Sequence, residues 1–349
     1  MSRQSQSAGD NSTQVLASRD VVIGLTEPRA REIAEQAAKS VVAEYADESV
    51  RVIQERITKL DDRVIASLVR EGRLEVFADP GFQRSYTKAQ SGAAVSDKDS
   101  DYDLLAGLLV DRVKRGASRN IKAGIERSIE IVDQIDDEAL RGLTVIQAIQ
   151  QYRPLGSRLD DGLDTMEDLF VDLLDGPLPE GAEWLDHLDI LDALRINQVS
   201  GLKSFRDYYP TIMPGYLASG APIGSPQLPF IICDRPQFGP ALLVQHELRP
   251  GYWRFAVADT DTLKHTLPNA ENIHSELIEQ AEDRLGFGAI DPELVDLFLE
   301  RLRLRPTLAK IETWWDQIPH AMQITGVGRV LARSNALRLD VRKVLPPID

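Results

Sequence analysis

A chain of 349 residues that is 43% hydrophobic and only 6% aromatic has material for two or three domains, with cores built on Leu, Ile, Val and Ala. Its single cysteine, Cys233, excludes an internal disulfide and suits a reducing compartment. No run approaches the roughly 18 uncharged apolar residues of a membrane span, and none reads as a secretory signal, so a cytoplasmic protein is expected.

The net charge of −15 is concentrated. Twelve acidic residues and no Lys or Arg fall between Leu159 and Leu194, which leaves about −3 for the rest of the chain. The protein reads as near-neutral with one acidic belt.

Residues 1–24 form a polar leader carrying Gln4, Gln6, Asn11 and Gln14. Gly9-Asp10-Asn11-Ser12 is a turn signal, with Val15-Leu16 and Val21-Val22-Ile23 as two short strands around it. Such a hairpin is marginal alone. Repeated side by side in an oligomer, its amide side chains would stack in ladders, which makes Asn11, Gln14, Val21 and Ile23 self-assembly candidates. The other reading of the leader is a disordered tail.

Thr26 is placed as the N-cap of a long helix, with Glu27 and Pro28 in its first turn. Ile33, Ala37, Val41, Tyr45, Val52, Ile57, Leu60, Val64 and Leu68 recur mostly at three- and four-residue steps, and Gly72 and Asp79-Pro80-Gly81 mark the latest end. A helix of this length spans roughly 65–70 Å. A single small domain rarely needs that, so partner helices or a coiled coil are expected, although the stripe wanders from a strict heptad.

Residues 82–95 read as a short helix or loop. Helices are expected at about 101–117, 119–134 and 137–152, the last two with stripes of Ile121, Ile125, Ile129 and Val132, and of Leu140, Leu143, Ile146 and Ile149. Arg153-Pro154 closes this group. The belt follows as two helices around Gly176-Pro177. From Gly201 to Pro240 repeated Pro and Gly break the chain, with short strands at Phe230–Cys233, Ala241–Glu247 and Tyr252–Ala258. Helices return at about 271–286, 291–303 and 306–318. The expected fold is mainly α: a leader (1–24), a helical domain including the belt (25–200) and a smaller α/β module (201–349).

The belt is the sharpest chemical feature. Asp160, Asp164, Asp168 and Asp172 stand at i, i+4 steps, one face of a helix, with Asp175 just beyond. Like charges at that spacing destabilise an isolated helix by about 0.2–0.5 kcal/mol per pair. The face is therefore either simply solvated, a docking surface for a basic partner, or a hard-cation site. The five histidines show no metal-helix spacing, Cys233 lies in an apolar run, and Gly326-Val327-Gly328 lacks both a third glycine and a Walker lysine. No cofactor or metal is expected. Arg301, Arg303, Arg305, Arg329, Arg333, Arg338, Arg342 and Lys343 form the best basic patch, with Arg329 and Arg333 as nucleic-acid candidates.

Two motifs carry a resemblance: the leader Gly9-Asp10-Asn11-Ser12-Thr13-Gln14 and the tail Ile324-Thr325-Gly326-Val327-Gly328-Arg329-Val330-Leu331-Ala332. The chain resembles a group of uncharacterised bacterial proteins with a G-D-N-S-T-x-Q leader, a long helix and an L-T-x-x-G-x-x-x-A type tail, here with Ile in place of the usual Leu. The resemblance implies no catalytic residues. It implies a setting in mobile elements or anti-phage defence loci for some members.

The expected function is a non-enzymatic, homo-oligomeric interaction or sensing protein assembled through residues 1–70. The alternatives are an enzyme with a pocket in 201–260 and a DNA-associated regulator using the C-terminal helices.

Overall fold

The computed structural model describes residues 27–345 apart from 117, 156, 198, 226–242, 260–261, 263–274, 276–278, 280–282 and 287–288. The fold is mainly α-helical, with a long N-terminal helix and a few short strands towards the C-terminal half. The chain divides into two units, Met1–Glu55 and Arg56–Asp349, and helix α1 (Glu27–Glu71) contributes to both. No described helix is long and apolar enough to cross a membrane.

In the first unit the described part is the stretch of α1 over 27–55, and every residue from 27 to 51 is exposed. Arg29–Glu32, Arg31–Glu35 and Arg51–Glu48 pair along its surface at three- and four-residue steps. Such pairs add a few tenths of a kcal/mol each to a helix, roughly 0.2–0.5. Ile33, Val41, Val42, Tyr45, Val50 and Ile53 lie exposed on the same stretch.

In the second unit the remainder of α1 buries Leu60, Val64 and Leu68 completely. Gly72, at φ +64°, ends the helix in the left-handed region that glycine tolerates best. A 3-10 turn (Leu74–Ala78) leads to α2 (Pro80–Val95). Asp79 caps α2 by accepting from the N–H groups of Gly81 and Phe82, and Pro80 takes the first helical position. Residues 82–95 are therefore helix, set by an aspartate cap of the kind that also opens the helix after Asp136. α3 (Asp99–Arg115), α4 (Arg119–Ile131) and α5 (Asp137–Gln151) follow at nearly the expected bounds. Asp136 caps α5, and the N–H of Asp136 donates to Nε2 of His187.

Next come α6 (Leu159–Leu173) and α7 (Glu183–Ile190), then β1 (Leu194–Asn197). Short turns α8 (Phe205–Tyr208) and α9 (Pro214–Leu217) precede β2 (Ala221–Pro222), β3 (Leu243–Gln245) and β4 (Tyr252–Phe255). These three strands form an antiparallel sheet in the order β2-β4-β3. α10 (Pro292–Arg303), α11 (Pro306–Trp315), β5 (Ala321–Ile324) and α12 (Gly326–Leu339) complete the described chain.

Within the second unit, described elements on both sides of residue 200 share one hydrophobic core. Two long-range arrangements cause this. β1 pairs antiparallel with β5, Leu194 opposite Ile324 and Asn197 opposite Ala321. α12 then enters the helical layer and packs on α3, α4, α5 and α6. Thr325 joins the two: its hydroxyl lies 2.6 Å from the Asp192 carbonyl, to which it donates, and accepts from the Gly328 N–H, capping α12. Gly326-Val327-Gly328 is thus the first turn of a capped helix. Within the layer, the amide of Asn335 donates to the hydroxyl of Thr144 across a buried α12–α5 contact.

Gly328 is the tightest point. A Cβ there would stand 1.9 Å from the Ala193 carbonyl oxygen, a backbone atom that cannot step aside. Gly328→Ala should lower stability by about 2–3 kcal/mol in urea unfolding. Gly107 of α3 is the control: its Cβ would meet nothing within 4 Å. Gly107→Ala should raise stability by up to about 1 kcal/mol, through helix propensity alone. Equal effects at the two sites would show that the close approach is not what the fold depends on.

Candidate functional site: an acidic belt facing arginines of the same chain

α6 buries Leu159, Leu163, Met166, Leu169, Phe170 and Leu173, which turns its aspartates towards the opposite face. Its first turn is satisfied from afar, since the Leu159 N–H donates to Oε1 of Glu247 at 2.9 Å. Asp160 accepts from Arg301 at 2.8 Å and lies 3.2 Å from Arg305. Asp164 accepts from Nε of Arg305 at 2.8 Å. Asp168 lies 3.7 Å from Arg342, and Asp172 accepts from both the guanidinium and the backbone N–H of Arg342. Asp175 accepts from Arg141 at 2.6 Å, with Arg338 at 3.9 Å.

Each carboxylate read as a candidate for docking a basic partner therefore has an arginine of this chain beside it. Most of those arginines come from the patch read as a nucleic-acid candidate. Opposite charges 140 or more residues apart in sequence compensate each other across the α6–α11 contact and around the C-terminal turn. Glu167 has a different role. Its two carboxylate oxygens accept from the N–H groups of Thr307 and Leu308 at 3.0 Å each, so it caps α11, whose own N-cap residue, Arg305, makes no side-chain cap. Further along the belt, Asp189 and Asp192 pair with Arg195, and Asp192 also with Arg127. Asp161, Glu180, Glu183 and Asp186 are the exposed remainder.

Arg329 and Arg333 stand one turn apart on α12. Arg329 is exposed and donates to the Ile324 carbonyl at 3.0 Å. Arg333 is half-buried, and its Nε has no hydrogen-bond partner. The self-assembly candidates Asn11, Gln14, Val21 and Ile23 lie outside the described residues, as do Thr26, Cys233, His265 and His274. Among the described residues no group of three or more His, Cys, Asp or Glu side chains is placed to hold a metal ion.

Sequence reasoning missed a buried ionic centre on β4. Arg254 is fully buried and donates to both carboxylate oxygens of Glu247, to the carbonyl of Phe255 and to the carbonyl of Ser157. Its guanidinium also lies 4.9 Å from the ring centre of Tyr216. Burial pushes the Glu247 carboxyl up, but Arg254 and the Leu159 N–H together hold it below the usual range. Next to it, His246 has both ring nitrogens engaged, Nε2 with the Ala218 carbonyl at 2.8 Å and Nδ1 with the Leu248 N–H at 3.2 Å. Such a ring is a structural hydrogen-bonding group with no free base. Among the described residues, the carboxyl of Asp101 on α3 is held above its usual range, by burial first and against a hydrogen bond from Ser96.

Arg305 is mostly buried while it holds Asp160 and Asp164, whereas Arg206 and Asp296 form an exposed pair. Arg305→Met should cost about 1–3 kcal/mol in urea unfolding, and Arg206→Met no more than about 0.5. Similar values for both would place the belt pairs among ordinary surface pairs. Burial, and the Arg254 and Arg249 charges, hold the His246 imidazole below its ordinary value of 6.5, against the Ala218 carbonyl and Glu247. The unfolded chain then binds a proton that the folded chain refuses, so stability falls as pH drops below about 6.5 and levels off once the folded ring titrates. His246→Gln should flatten that slope. An unchanged slope would assign it to other groups.

No curated protein and no solved structure matches this chain. A family model described as ":-like", a description that states no activity, matches residues 24–343. That match covers nearly all of the chain, and the protein belongs to this family.

Proposed function

We propose that this protein is a non-enzymatic interaction protein that works as a homo-oligomer, with residues 1–70 as the assembly element and a second copy of the same chain as its first partner. The observation that carries this reading is the exposed apolar surface of α1. Val42, Ala46, Val50, Ile53, Ile57, Leu60, Val64 and Leu68 recur at three- and four-residue steps, so they share one helical face. Leu60, Val64 and Leu68 are buried, while Val42, Val50 and Ile53 are 66%, 64% and 41% exposed. Ala30, Ala34 and Ala38 extend the stripe with side chains small enough for close helix approach. Helices in proteins draw most of their stability from packing such a face, so a facing helix is the natural complement.

The polar leader at the head of α1 supports the same reading by its amide content. The compensation of the belt by internal arginines shifts attention from the belt aspartates to α1 as the surface with unmet packing. The resemblance to bacterial proteins found near anti-phage defence genes suggests a setting in which assembly is the output of sensing.

Light scattering on full-length protein at micromolar concentration tests the proposal. It predicts a mass at a multiple of 38.8 kDa, returning towards 38.8 kDa in the Val42→Glu/Ile53→Glu double variant. Each substitution removes a side chain whose burial between copies would be worth roughly 2 kcal/mol and adds a charge to the apolar seam. Both sites are exposed in the single chain, so the fold of residues 56–349 is expected to survive. A full-length monomer would overturn the proposal. Removing residues 1–72 is not an equivalent test, because Leu60, Val64 and Leu68 belong to the core.

A further inference from the structure

A groove of about 370 Å³ lies within the second unit, between the C-terminal part of α1, α3 and α12. That size suits a small ligand. Three cations line it, Arg63, Arg70 and Arg338, against one carboxylate, Asp103. Their commitments differ. Arg63 donates to Asp103 at 2.6 Å and to the Lys59 carbonyl, so the one carboxylate of the groove is already neutralised. Arg70 donates to the Ser67 hydroxyl and, among the described residues, has no carboxylate within ion-pair distance. Arg338 spends two N–H groups on the neutral amide oxygen of Asn335, with Asp175 no closer than 3.9 Å. The groove therefore holds one guanidinium, Arg70, with no described carboxylate at ion-pair distance, beside a second, Arg338, that Asp175 meets only at 3.9 Å and whose charge also bears on Asp101.

The walls are kept open by small side chains: Ala66 and Ser67 on α1, and Ala106 and Gly107 on α3. Gly107 sits inside a helix, where glycine is the weakest former apart from proline, and packing does not demand it, since a Cβ would meet nothing within 4 Å. The space it leaves is the groove itself. Ser334 also lines the groove, and its buried hydroxyl has no hydrogen-bond partner, so turning about χ1 towards a ligand would break no existing bond.

We propose that this groove binds a small organic anion, a carboxylate or phosphate ester with a short apolar body. The head group would sit between Arg70 and Arg338, and the body would lie on Ala66, Ala106, Gly107 and Leu337. Guanidinium forks suit both head groups, because each presents planar or paired oxygens to paired donors. The groove lies on the 63–70 stretch of α1, within residues 1–70 but beyond the exposed apolar surface over Val42–Ile53 that carries the assembly proposal, so its failure would leave that proposal standing.

The test is calorimetric titration of full-length protein with three probes: hexanoate, hexyl phosphate and inorganic phosphate. Binding of either hexyl compound at millimolar or lower concentration, and more tightly than inorganic phosphate, is the expected result, and the tighter of the two names the head group. Arg70→Gln should weaken it by roughly tenfold, the loss of a charge-assisted contact. Gly107→Val, which fills the groove from an exposed helix position, should abolish it. Arg70 is exposed, so its variant is expected to fold, and an unchanged circular dichroism spectrum checks this for both. Failure of both hexyl probes to bind would overturn the proposal. So would equal binding of inorganic phosphate, or binding that both variants leave unchanged.

Discussion

The structure turns on one close approach, the backbone of Gly328 against the carbonyl of Ala193. Because no side chain intervenes, β5 can stay paired with β1 while α12 starts at once and enters the helical layer. Thr325 makes the corner cheap: one hydroxyl satisfies a carbonyl of the β1 approach and an otherwise orphaned N–H of α12. Gly124 of α4 repeats the device more gently, its missing side chain lying 3.3 Å from the Gly326 carbonyl, and Ser128 bonds to the Val327 carbonyl nearby. The last described helix is therefore an interior element. α3, α4 and α5 pack around it.

Charge is organised by the same long-range closure. The net charge of −15 and the belt that carries most of it suggest a surface waiting for a cationic partner. Folding brings Arg301, Arg305, Arg338 and Arg342 from the far end of the chain to those aspartates and spends a helix end on Glu167. Where one partner is mostly buried, as Arg305 and Asp172 are, such pairs stabilise more than exposed pairs do, because water competes less for them. They also make closure specific: an arginine row and an aspartate row align in few registers. Asp164, Asp168 and Asp175 stay exposed beside their arginines, and Asp161, Glu180, Glu183 and Asp186 are the exposed carboxylates outside these pairs.

Local signals were legible in the sequence and distant ones were not. α3, α5, α10 and α11 each announce themselves by periodicity, a cap or an N-terminal proline, and stand close to their expected bounds. The β1–β5 pairing was invisible, because four-residue strands more than 120 residues apart carry no shared pattern. Separations of 141 and 88 residues likewise hid the Arg305–Asp164 pair and the capping of α6 by Glu247. Reading the long-helix stripe as Ile33, Ala37, Val41 and Tyr45 caught its buried end at Leu60, Val64 and Leu68. The face that continues those residues runs instead through Ile53, Val50 and Val42, a register that only burial distinguishes. The groove beside Gly107 was likewise unreadable, since a glycine inside a helix signals nothing until its neighbours are known.

Helix α1 serves the core at one end and presents an apolar face at the other. Hydrogen exchange of the amides over residues 27–55 measures that face directly, because packing against a second copy suppresses the local opening that an isolated helix undergoes. The account predicts strong protection through Val42–Ile53 in the full-length protein, lost in the Val42→Glu/Ile53→Glu variant while the amides of α5 and α12 stay protected. Equal exchange over 27–55 in the two proteins would contradict it.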